Sequence, residues 1–417
     1  MYGQEGIKMF YAGIDTHLLM HEVAVIDEKG ESIWSGRIGN DRAGFLGLLN
    51  KLKNTEESRG DWIAGIYMNP TGSYHMPISH FLREKGYPVY EINPIITSSI
   101  RSATNMGRNK SDRVDAFSLA VTGLYHKGSW NHERAYASIL TRYRQKLVEE
   151  MTRLLNFLEG DLAATFPEML KVMDMRKRGS LRLVQEFPSP SQYRNNRERI
   201  AEILRVAGRG HFDKKKVDRL IELASETIGI GDPKGFYSMR ISETSIIIQR
   251  LMDSIEKIDD AIEDEMGDND DVKNLDSIRG INITTASSIV SEIGDIRQFD
   301  SEEKLQSYGG KAPSQSSSAG HIQGTWMSKV SNPYLSATVS IAARSLVWNR
   351  SPEFFAIYER EIRKGKAKKM AYMVVGKRLL HHVFSIMKNR KPYRQRIPNN
   401  GGNTNILDQW SDVVHST

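Results

Sequence analysis

Residues 10–38 read FYAGIDTHLLMHEVAVIDEKGESIWSGRI, and the fold turns on how this stretch is cut. FYAGIDT, HEVAVID and SIWSGRI are short runs rich in β-branched and aromatic residues, separated by polar turns, with Glu28-Lys29-Gly30 marking the second turn. Such runs predict a three-stranded antiparallel meander. Asp15 closes the first run, where a strand end holds a carboxylate rigidly.

Working outward, DRAGFLGLLNKL at 41–52 carries its apolar residues at helical spacing. A strand at WIAGIYM, a helix at about 73–85, a strand at PVYEI and a helix starting near Asp112 complete an α/β domain over residues 1–125. Three antiparallel strands followed by alternating helices and strands is the order of a ribonuclease H-like domain. A dinucleotide fold would open on parallel strands and a Gly-rich loop, and no GxGxxG follows the first strand.

The pattern changes over residues 126–270. Leu140, Leu147 and Leu154 recur at seven, with Met151 and Leu158 between, and Ile241, Ile248, Ile255 and Ile262 repeat the same period. Two readings fit: a coiled-coil hairpin, or two long helices inside one bundle. The segment between them, 165–240, holds basic runs (MRKRGS, RNNRER, DKKK), either a solvated face or a DNA contact. Residues 271–395 form a mostly helical second unit. Its LDSIRGINITTASSIVSEIG breaks at a Gly like a helix-hairpin-helix, and its GGKAPSQSSSAGHIQGTW reads as a polar loop containing His321. Residues 396–417 read as a disordered tail.

Composition sets bounds. The 417 residues carry a formal charge of +7, weakly favouring a polyanionic partner. Zero Cys excludes disulfides, thiolate zinc sites and cysteine nucleophiles, and fits a reducing, cytoplasmic setting. No run approaches the ~20 apolar residues of a membrane span, and no leader pattern opens the chain.

Asp112 and Asp115 lie three apart at a predicted helix start, so both can face one side. Each could equally cap that helix. Together with Asp15 they point to a divalent metal site, Mg²⁺ or Mn²⁺, because hard cations accept scattered carboxylates.

GIDTH, NPTGSY at 69–74, KSDRVDA at 110–116 after INP at 92–94, LDSIRGI, ASSIVSEIGDIRQF, GGKAPSQSSSAG and KVSNPYL follow one another along the chain. In that order they resemble the motifs of the IS110/IS1111 (DEDD, RuvC-like) transposases, a family related to the Piv-type DNA invertases. The resemblance runs from about residue 11 to 350. It implies a composite site in which RuvC-like carboxylates bind metal and a Ser of the carboxy-terminal domain becomes joined to DNA. Asp15, Asp112 and Asp115 then match three of four acidic positions, while Asn69 stands where the family has Glu. An introduced inactivating change, a tolerated change of ligand and a loss of catalysis all fit that Asn. The nucleophile falls among Ser316, Ser317 and Ser318, with Ser318 matching the offset from Pro313, although Ala319 replaces the Gly that usually follows.

The expected activity is cutting and rejoining of DNA at element ends, by a dimer or tetramer. A guide (bridge) RNA is a further partner in one branch of the family. The competing expectations are a Holliday-junction-resolvase-like metal-dependent nuclease, and a silent DNA-binding or synapsis protein that lost catalysis at Asn69.

Overall fold

The structure is a computed structural model that describes residues 9–69, 73–92, 97, 100–101, 111–125, 137–208, 214–311, 313–318, 321–327 and 331–394. The expected tail at 396–417 lies outside the described residues.

The opening stretch forms β1 (Met9–Thr16), β2 (Met20–Ile26) and β3 (Ser32–Gly39). After it come α1 (Arg42–Arg59), β4 (Trp62–Met68), α2 (His75–Glu84), β5 (Val89–Glu91) and α3 (Asp112–Tyr125). The sheet order is β3-β2-β1-β4-β5, with β1, β2 and β3 antiparallel and β1, β4 and β5 parallel. Helix α1 starts where the Asp41 side chain accepts the Gly44 amide at 2.7 Å and stops at Gly60, whose φ of 68° lies in the left-handed region.

Both faces of β1 are buried, so Phe10 to Ile14 are aromatic, small or aliphatic instead of alternating with polar side chains. Phe10, Ala12 and Ile14 join Phe45, Leu48 and Leu52 of α1 and Ile78 and Leu82 of α2 in one core. Tyr11 faces the other way, in a second cluster with Tyr67, Leu119 and Ala120. Between them Gly13 has no side chain for a reason. A Cβ there would lie 2.0 Å from the Ala116 carbonyl oxygen and 2.4 Å from the Ala120 nitrogen. The backbone of α3 crosses β1 in direct contact, and this brings the first turn of α3 to the carboxyl end of β1.

A second compact unit covers residues 136–272 and 286–291. Its long helices, α4 (Ser138–Thr165) and α9 (Phe236–Met266), are tied by Arg144–Asp259 towards one end and Asp161–Arg240 towards the other, so they run antiparallel. Ile241, Ile248, Ile255 and Ile262 are all buried, as a seven-residue repeat requires. In α4 the repeat at Leu140, Leu147 and Leu154 is only half-buried, and the fully covered positions are Leu155, Leu158 and Leu162. The intervening segment covers these last three. It folds into α5 (Met169–Val172), α6 (Arg178–Glu186), α7 (Arg197–Ala207) and α8 (Lys214–Ser225) and shares a core with that end of α4. Several of its arginines are already paired: Arg178 with Asp253 and Glu256, Arg197 with Asp218, and Arg199 with Glu186.

The remaining elements are α10 (Asp270–Asp276), α11 (Ile283–Ile293), α12 (Glu302–Tyr308), β6 (Pro313–Ser318), β7 (His321–Met327), α13 (Pro333–Trp348), α14 (Pro352–Arg363) and α15 (Lys368–Asn389). The break before α11 is made at Gly280, whose φ is 100° and whose Cβ would approach the Leu346 Cα to 3.1 Å. Within the polar loop expected at 309–326, residues 313–318 and 321–327 instead pair as antiparallel strands, with Ser318 opposite His321 and an irregularity between Ser316 and Ser317. Composition misleads here, because a two-stranded ribbon satisfies its backbone groups by pairing and needs no apolar face. His321 therefore lies in a strand, not in a loop.

Candidate metal centre and serine hairpin

The α3 crossing fixed by Gly13 puts Asp112, at the start of α3, against Asp15, at the end of β1. His17 completes the group. Its Nε2 lies 3.2 Å from the Asp15 Oδ2 and 3.6 Å from the Asp112 Oδ2. The three donor atoms all lie within 4.8 Å of one another. An octahedral ion about 2.1 Å from its ligands separates neighbouring donors by roughly 3 Å and opposed ones by roughly 4.2 Å, so this set fits one divalent ion.

Asp15 is buried, and His17 and Asp112 are exposed. Burial holds the Asp15 carboxyl up to about 6, opposed by His17 and reinforced by the charges of Asp115 and Asp112. A carboxylate in that state gains more from a cation than one already neutralised.

The other expected residues are close but otherwise engaged. Asp115 forms an ion pair with Arg101. Asn69 follows β4, and the pairing of Ile14 with Met68 sets it beside Asp15 at the ends of adjacent parallel strands. Its Oδ1 accepts from the Thr97 hydroxyl at 3.1 Å, and its backbone oxygen accepts from Thr16 at 3.3 Å. Sequence reasoning that follows carboxylates misses His17 and Arg101. The signal for His17 was available: two residues after Asp15 at a strand end, it shares that residue's side of the sheet.

Ser316, Ser317 and Ser318 occupy β6. On the strand's upstream side, Lys311 is buried and donates from Nζ to the Ser340 hydroxyl at 2.7 Å and the Ser336 carbonyl at 3.1 Å. Burial lowers its ammonium to about 8. On the downstream side, Asn332 donates to Glu292 at 2.7 Å and to the Tyr308 hydroxyl at 2.8 Å. The Asn332 Oδ1 meanwhile accepts the amides of Tyr334 and Leu335, capping α13. Both flanks of the serine hairpin are thus fastened to α13.

A mixed sheet that gathers carboxylates and an imidazole at a strand end and a helix start offers the donor set of a divalent-metal site. Residues 12–167 match the family model DEDD_Tnp_IS110, described as a transposase, and residues 272–359 match the model of the transposase IS116/IS110/IS902 family. The chain is 25% identical over 323 residues to the IS117 mini-circle protein of Streptomyces coelicolor, covering 73% of this chain and 76% of that one. It is 22% identical over 407 residues to the 43.6 kDa protein of insertion element IS110 from the same organism, covering 95% and 98%. To the transposase for insertion sequence element IS1111A of Coxiella burnetii it is 23% identical over 341 residues, covering 80% and 77%. The chain belongs to the IS110 family of transposases. Among the described residues, no helix is long and apolar enough to cross a membrane.

Proposed function

We propose that this transposase cuts and rejoins DNA at the ends of its element through a serine–DNA intermediate. Asp15, Asp112, Asp115 and the Asn69 position form the metal-holding half of the site, on a ribonuclease H-like sheet. Ser318 is the nucleophile, chosen over Ser316 and Ser317 by its offset from Pro313. The observation that carries the reading is the convergence of Asp15 and Asp112 on one set of donor atoms within a chain of this family.

A divalent ion held there, Mg²⁺ or Mn²⁺, would neutralise the carboxylates and polarise the scissile phosphodiester. The protein supplies the rest. The Ser318 Oγ gives up its proton and bonds to phosphorus as the P–O bond to the sugar breaks, and the departing sugar oxygen takes up a proton. Attack by the hydroxyl of a second DNA end reverses these bonds and frees the serine, so phosphodiester energy is conserved and no nucleotide is consumed. The position of the hairpin matters, because a displacement of the nucleophile by about 1 Å costs roughly 100-fold in rate. We infer also that α4 and α9 form an antiparallel coiled-coil hairpin on which two or four copies assemble, and that a guide RNA contributes target choice.

The test is incubation with element-end DNA and Mg²⁺ or Mn²⁺, followed by denaturing electrophoresis. A shifted protein–DNA band is expected, and chelation of the metal should remove it. Hydrolysed DNA without a band would support a resolvase-like nuclease. Binding without cleavage, with cleavage appearing on Asn69→Glu, would support the silent reading.

A further inference from the structure

We propose that His17 is a metal ligand in this chain. With Asp15 and Asp112 it fills the coordination place that the family's Glu leaves when Asn69 stands there, and it moves the site's preference from Mg²⁺ towards Mn²⁺. The inference rests on the metal-holding reading of the acidic centre.

Three observations carry it. The His17 imidazole stands just past the end of β1 with its Nε2 facing two carboxylate oxygens, at 3.2 and 3.6 Å. A ring nitrogen facing two carboxylate oxygens is satisfied by a proton on the ring or by a metal ion shared with the oxygens. The turn that presents the ring is itself fixed: the His17 amide donates to Nδ1 of His21 at 3.3 Å, and His21 is fully buried and stacked on Phe45. The other candidate ligands are partly engaged, the Asn69 Oδ1 accepting from the Thr97 hydroxyl and one Asp115 oxygen pairing with Arg101, whereas the His17 Nε2 already faces Asp15 and Asp112.

The donor set that converges is therefore two carboxylate oxygens and one imidazole nitrogen. Mg²⁺ takes oxygen ligands almost exclusively, whereas imidazole joins carboxylates readily on later divalent metals. An uncharged Asn at position 69 costs the centre one negative charge, and a nitrogen ligand restores coordination without restoring that charge. A softer ion is the expected result.

The experiment is pulsed electron paramagnetic resonance of Mn²⁺ bound to the full chain, beside equilibrium dialysis of Mn²⁺ and Mg²⁺. Wild type should show modulation from a directly bound imidazole nitrogen. His17→Ala should abolish that modulation and weaken Mn²⁺ binding by about tenfold or more, while Mg²⁺ binding changes by less than about threefold. Asn69→Glu added to His17→Ala should recover Mn²⁺ affinity without recovering the nitrogen signal. If Asp15→Asn weakens Mn²⁺ binding but wild type shows no nitrogen modulation, His17 is not a ligand and the acidic centre stands. If Asp15→Asn leaves Mn²⁺ binding unchanged, the acidic centre falls as well. Modulation that persists in His17→Ala assigns the nitrogen elsewhere and overturns the proposal. Where His17→Ala fails to fold, His17→Gln takes its place, and a wild-type spectrum without nitrogen modulation overturns the proposal by itself.

Discussion

Two carboxylates in this molecule have opposite fates. Glu353, on α14, is surrounded by donors: Arg378, the His382 Nε2 at 3.0 Å and the Tyr393 hydroxyl at 2.7 Å. Burial disfavours its charge, but those hydrogen bonds outweigh burial and lower its carboxyl to about 2. Asp15 is also buried, yet it faces two further carboxylates and one imidazole, and burial holds it up at about 6. The first is a finished structural joint. The second is left short of positive charge, the condition in which a bound cation stabilises most.

The largest expected effect bears on how Asp15 is held. Gly13→Val would drive a side chain into the α3 backbone, where even a Cβ meets Ala116 oxygen at 2.0 Å. Overpacking of this kind costs about 3 kcal/mol or more. Loss of the thermal transition of the amino-terminal domain, together with its metal binding, is the expected outcome. Gly231→Ala, where nothing lies within 4 Å, should leave the melting temperature in place. Equal behaviour of the two variants would break the claim that the α3 crossing builds the centre.

Next in size is Glu353→Gln. Removing charge-assisted bonds of this sort costs about 1–3 kcal/mol. Since the folded carboxyl lies below its ordinary value of 4.5, its contribution is present above that pH and lost as pH falls towards 2. Acid unfolding of the wild type should steepen in that window, and the variant should lack the component.

Asp15→Asn sharpens the contrast by having the opposite sign. The folded carboxyl lies above its ordinary value of 3.8, so its contribution is present below pH 3.8 and lost as pH rises through about 6. At pH 7 without metal the Asn variant should melt a few degrees higher than wild type, and Mn²⁺ should raise only the wild type. A lower melting temperature would mean that Asp15 is as satisfied as Glu353.

Much of the amino-terminal domain is legible from residues alone. Apolar runs of seven or eight between polar turns give β1 to β4, and Asp112 at a helix start gives α3. The crossing of α3 over β1 is not legible, because a Gly inside a strand signals close approach without naming the neighbour. His17 escapes a search for carboxylates because the imidazole joins the site through the β1–β2 turn. In the carboxy-terminal half, Ser-rich composition hides a hairpin whose pairing is a backbone matter. Heptad spacing marks α9 correctly as a buried seam, but in α4 the full burial falls on Leu155, Leu158 and Leu162, covered by α5 to α8, whose packing no local pattern in α4 encodes.

The central claim is that the acidic centre and the β6 serine act in one reaction, and peptide mapping of the DNA-linked protein tests it most directly. After reaction with element-end DNA and Mn²⁺, denaturation and proteolysis, the DNA-bearing peptide should contain Ser318. The link should vanish in Ser318→Ala and equally in Asp15→Ala, and survive in Ser316→Ala and Ser317→Ala. A link that persists in Asp15→Ala, or that maps outside residues 316–318, would contradict the account.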